Sequence, residues 1–72
     1  MNKDDNLSAF SSRLKILRKN KKLTQAKLAE RIDVSTNFIG MVERGKRNTT
    51  VDKIFKLANA LDVSLAKFFE TL

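Results

Sequence analysis

Thr36 and Asn37 carry side chains suited to reading a base edge. A carboxamide such as Asn37 donates and accepts at once, which matches adenine in the major groove, and a threonine such as Thr36 can hydrogen-bond or touch a thymine methyl. Ser35 before them is a helix-capping residue with a hydroxyl to offer one phosphate. Phe38 after them cannot hydrogen-bond, so it either lies against a sugar or thymine methyl or packs on its own domain. Met41, one turn beyond Asn37, can graze the same surface. Cations stand on both sides of this group: Arg44, Lys46 and Arg47 follow it, and between Arg13 and Lys22 lie six basic residues without one acid. Alone, such a run is a solvated surface; around a short polar helix it suits phosphates.

The elements that must position these residues can be read from capping and periodicity. Thr24 can cap a helix carrying Leu28, Ala29 and Ile32 at core-facing spacing. Asp33 and Val34 interrupt it, Ser35 caps a second helix through Phe38, Ile39 and Val42, and Gly45 supplies a left-handed stop. Only a few residues separate the two, so they cross steeply, with small Ala29 at the close approach and Val34, Ile39 and Val42 filling the angle. Together they form a helix-turn-helix. Phe10, Leu14 and Leu17, with Ile16 beside them, predict a helix over about Ser8–Asn20. Thr50 opens a helix with Val51, Ile54, Leu57, Ala58 and Leu61 on one face, and Ser64 opens a last one with Leu65, Phe68, Phe69 and Leu72. The expectation is five helices, no strands and no internal repeats, with residues 1–7 a flexible N-terminus and 8–72 the domain. Leu65, Phe68, Phe69 and Leu72 are more apolar bulk than a short terminal helix can bury in so small a domain, so this helix is expected to pack against another subunit.

The chain resembles the Cro and phage-repressor type of helix-turn-helix protein. The resemblance rests on Gln25 opening the first motif helix, Ala29 at the close contact, Ile39 and Val42 on the buried side of the second, and the run Val42-Glu43-Arg44-Gly45-Lys46-Arg47-Asn48. One departure is Asp33, where the family usually has glycine; Asp is among the residues that tolerate the left-handed conformation. The resemblance implies a compact all-α five-helix bundle like the lambda-repressor DNA-binding domain. It implies that Thr36 and Asn37 read bases, that Gln25 meets a phosphate at its helix start, and that Lys46, Arg47 and Asn48 grip the backbone, with Ser35 adding a contact. Arg13 and Lys27 are secondary candidates. Glu43, out of place among cations, is implied to pair with Arg18 as a structural tie. The implied function is a sequence-specific transcriptional regulator, a homodimer on a two-fold symmetric operator with reading helices about 34 Å apart. Within the family it looks most like short single-domain regulators, including phage repressors and restriction-modification controllers; in those controllers an arginine often stands where this chain has Thr36.

Composition narrows the alternatives. With 15 basic and 8 acidic residues the formal net charge is +7, so duplex DNA is the expected partner. There is no His, Cys, Tyr or Trp and only 2 Gly, so metal sites, nucleophilic triads and glycine-rich phosphate loops lack their parts, and neither an enzyme nor a cofactor is expected. No apolar run approaches a membrane span, the first residues do not form a signal peptide, and the expected location is the cytoplasm. No effector domain is visible, so no small-molecule effector is expected. The competing reading is an antitoxin or other protein-interaction module with secondary or no DNA binding; the additional tail that such proteins usually carry for their partner is not visible after Leu72.

Overall fold

The computed structural model describes the backbone of residues 3–70 and the side chains of residues 6–70. The described residues form five helices and no strand: α1 Lys3–Asn20, α2 Gln25–Arg31, α3 Thr36–Glu43, α4 Val51–Ala60 and α5 Leu65–Phe69. α1 begins at Lys3, earlier than the periodicity of its apolar residues predicts.

Every later helix opens on a hydroxyl. Thr24, Ser35, Thr50 and Ser64 accept a hydrogen bond from the N–H three residues on, at 3.0–3.2 Å, satisfying an amide that the helix leaves free. The first four helices also stop alike. Lys22, Asp33, Gly45 and Asp62 take left-handed φ of 57–72°. The residue after each then donates its N–H back into the last turn: Leu23 to Arg18 O, Val34 to Ala29 O, Lys46 to Met41 O and Val63 to Ala58 O, at 2.9–3.2 Å. In three of these four stops a residue with a Cβ holds the position that glycine fills most easily.

Two of the connections are copies of one another, which corrects the expectation of no internal repeat. Leu28-Ala29 and Leu57-Ala58 precede Ile32-Asp33-Val34-Ser35 and Leu61-Asp62-Val63-Ser64 at equal spacing. Ile39 and Phe68 follow at equal spacing too. The paired apolar positions 28/57, 29/58, 32/61 and 39/68 are all buried, and Val34 and Val63 pack against the same core. The motif pair α2–α3 is thus echoed by α4–α5.

The core gathers Phe10, Leu14 and Leu17 from α1 with Leu28, Ile39, Val42, Leu57, Leu61 and Phe68. Each fully buried apolar side chain contributes on the order of 1.5–3 kcal/mol. Phe68 is fully buried, its ring 5.5 Å from that of Phe10, so the expectation that it faces another subunit is corrected: the first aromatic of α5 closes its own core. Leu65 is half-buried against that core and Phe69 keeps 38% exposure. Leu72 lies outside the described residues. Val51, expected on the buried face of α4, is 69% exposed, and Phe55 one turn on is 50% exposed.

Candidate nucleic-acid interface

α3 is short, and each of its sides has a separate task. Ile39 and Val42 are fully buried, Gly40 and Glu43 are buried beside them, and Ser35, Thr36 and Asn37 are exposed at its start. The helix is therefore fixed by one side and free on the other. Asn37 Nδ2 lies 3.5 Å from the Met41 sulfur, a weak contact that steadies the carboxamide along the helix and leaves its oxygen unengaged. Ser35 Oγ already accepts from Phe38 N–H, so what it can still offer is its own proton.

Glu43 is held from three directions. Arg18 donates to it through Nε at 2.6 Å and Nη2 at 3.1 Å, and Gln25 Nε2 donates to Oε1 at 3.0 Å. Arg18 also donates from Nη1 to Leu23 O at 2.7 Å. Both charged side chains are nearly solvent-free, and a carboxylate so buried is tolerable only because donors surround it. The network ties α1, the start of α2 and the end of α3. Gln25, read from the sequence as a phosphate contact, thus has one N–H committed to Glu43 and one left to give.

Gly40 explains how Gln25 and Arg44 share the space over α3. A Cβ at Gly40 would stand 3.1 Å from Arg44 Nη1, closer than side chains ordinarily pack, and in ordinary contact with Gln25 Oε1 at 3.4 Å. Glycine inside a helix costs about 1 kcal/mol relative to alanine. The notch it leaves seats both polar side chains against the helix.

Beyond α3 the loop carries exposed Lys46, Arg47 and Asn48. Asn48 Oδ1 accepts from Thr49 N–H at 2.9 Å, which leaves its amide nitrogen to donate outward. Phe38 is half-buried, and its ring carries the Arg47 guanidinium 5.4 Å from the centroid and Lys53 Nζ at 5.8 Å.

The structure separates the other candidates. Arg13, read as a possible DNA contact, donates from Nε to Phe68 O at 3.0 Å and from Nη2 to Lys67 O at 2.7 Å, capping the carbonyl end of α5; its guanidinium is engaged within the protein, and the expectation is corrected. Lys27 is exposed and 3.7 Å from Glu30. Met41 is half-buried. Sequence reasoning gave no place to Lys53, to the Gly40 notch or to the bond from Gln25 to Glu43. Lys53 lies three residues after a visible cap at Thr50, but its approach to Phe38 depends on the path of the loop between α3 and α4. Among the described residues no group of three His, Cys, Asp or Glu side chains could hold a metal ion, and no helix is long and apolar enough to cross a membrane.

Comparison with known proteins agrees with this layout. The helix-turn-helix family model HTH_3 matches residues 14–68. The control protein C.MunI of a Mycoplasma species is 33% identical over 64 residues, covering 88% of this chain and 86% of the relative. The crystal structure of the restriction-modification controller protein C.AhdI from Aeromonas hydrophila superposes with a TM-score of 0.85 at 40% identity, over 90% of this chain and 98% of that one. The controller protein C.Esp1396I, solved as a tetramer in complex with its natural 35 base-pair operator, gives a TM-score of 0.82 at 34% identity over 89% and 84% of the two chains.

Proposed function

The chain belongs to the HTH_3 helix-turn-helix family, and from that premise we propose that it is a sequence-specific transcriptional regulator binding duplex DNA as a homodimer on a two-fold symmetric operator. The observation that carries the reading is the division of α3, with Ile39, Val42 and Glu43 locked into the domain while Thr36 and Asn37 stand free beside the cations of the loop. Thr36 and Asn37 read base edges. Gln25, Ser35, Lys46, Arg47 and Asn48 position the protein on phosphates and carry no sequence information.

Size supports two copies. The protomer measures 32 × 24 × 21 Å and carries one reading helix, whereas half-sites one helical turn apart lie about 34 Å from each other. Two protomers related by a two-fold axis present the same helix to both half-sites, and the exposed apolar face that includes Phe69 is the surface through which they meet. The relatives named above are regulatory proteins. We assign this chain no catalytic or cofactor role and place it in the cytoplasm with its DNA.

Selection of bound duplexes from a random-sequence pool, at moderate salt with competitor DNA, tests the reading. The expected product is a two-fold symmetric site with half-sites about one turn apart. Failure of the folded protein to enrich any sequence would defeat the claim of specific regulation and turn attention to a protein partner.

A further inference from the structure

We infer that Lys53, at the start of α4, is a DNA-phosphate contact held together with Arg47 on the ring of Phe38, so that the backbone grip extends from the loop onto α4. The inference rests on the DNA-binding reading above and adds to it a residue on another helix. Arg47 and Lys53 reach the same ring, with centroid distances of 5.4 and 5.8 Å. Their mutual repulsion opposes this gathering, and attraction to an exposed aromatic face is worth only about 0.5–1 kcal/mol per cation. Neither cation has a carboxylate partner within 4 Å among the described residues. Lys56, by contrast, has a carboxylate partner in Asp52 at 3.3 Å. Between the two cations lies an open groove of about 270 Å³, lined by Phe38, Arg47, Asn48, Thr49, Thr50 and Lys53. The face of the ring holds the two cations beside the groove, and a phosphate oxygen placed between them relieves the repulsion that the folded protein otherwise sustains.

The same geometry gives Phe38 its role. It neither reads a base nor serves only the core; it is a positioning residue that sets two phosphate-binding cations at the entrance of the reading helix.

The test uses the full chain, a duplex enriched from the random pool and a scrambled duplex, with affinity measured across salt. Lys53→Gln, which removes one contact from each of the two protomers, is expected to reduce the slope of log affinity against log salt by about 1.8 on both duplexes, about 0.9 per contact. Between about 50 and 200 mM salt the wild type then loses about 12-fold more affinity than the variant. Lys53→Arg should restore the slope, Lys56→Gln should leave it at the wild-type value, and Phe38→Leu should lower it without altering the enriched sequence. Melting temperatures identify folded variants, and Lys53→Ala reads the same slope should the glutamine variant fail to fold. A wild-type slope in Lys53→Gln overturns the assignment and leaves the DNA-binding reading intact. Absence of salt-dependent binding by the wild type overturns both.

Discussion

Glu43 and Asn37 lie on the same short helix and call for opposite experiments. Replacing Glu43 by Gln removes the charge that Arg18 and Gln25 converge on and leaves Arg18 buried without its counter-ion. Breaking a buried pair in this way costs about 3–5 kcal/mol. The expected result is a lower melting temperature with base preference unchanged; a Glu43→Gln protein of normal stability and altered preference would defeat the structural assignment. Asn37→Ala and Thr36→Ala should do the reverse, leaving stability in place while operator preference falls by about 1–3 kcal/mol per paired contact. Lys46→Ala and Arg47→Ala should weaken binding to every duplex alike. Competition binding with operator and random DNA separates these outcomes, and an equal loss on both from Asn37→Ala would remove it from the base-reading role. The pair of Arg18 with Glu43 was legible because the run around Gly45 resembles a family pattern. The third partner, Gln25, was not: its contact depends on how α2 crosses α3 over the notch at Gly40, and spacing along the chain does not encode that crossing.

At the level of helices, the starts were plain and the stops were not. Thr24, Ser35, Thr50 and Ser64 are capping residues ahead of apolar periodicity, and each caps as its chemistry requires. Gly45, Asp33 and Asp62 are residue types that tolerate a left-handed position, whereas Lys22 gives no compositional sign of one; at Lys22 and Asp62 the half-buried residue that follows, Leu23 or Val63, donates its N–H back into the helix. Asp33 and Asp62 therefore sit in a conformation that costs an L-residue about 1–2 kcal/mol. Asp62→Gly and Asp33→Gly are each expected to raise stability by about 1 kcal/mol, since relief of that strain outweighs the greater freedom of glycine in the unfolded chain. Denaturant titration checks this, and a lower midpoint for both variants would show that the two turns are not strained. The start of α1 was missed because residues 3–6 are all polar and leave apolar periodicity nothing to register.

For the molecule as a whole, association matters because so small a chain, without Cys for disulfides, has only packing to hold it. The melting temperature should accordingly rise with protein concentration. Phe69 is the test residue on α5, half-exposed while its ring still leans on Phe68 at 5.1 Å. Phe69→Ser is expected to shift the sedimentation profile toward monomer, with a loss on the order of 1.5–3 kcal/mol per buried ring, and to weaken binding to a two-half-site duplex more than to a single half-site. An unchanged dimer would move the interface elsewhere, and exposed Phe55 on α4 is the next surface to vary. The number of helices and the class of fold were legible throughout, because a cap marks the start of each later helix and apolar stripes repeat every turn. Which aromatic of α5 faces inward was not, since Phe68 and Phe69 are adjacent and both stack on Phe10; burial separates them, Phe68 being enclosed and Phe69 left at the surface.

The division of α3 also bears on how such a protein changes over generations. Ile39, Val42 and Glu43 are under the constraint of folding, whereas Thr36 and Asn37 make no contribution to the core. Mutations at the second pair leave the stability margin untouched, so they are filtered only by the sites the protein must occupy. A duplicated copy can thus acquire a new target through one or two replacements while its scaffold stays the same.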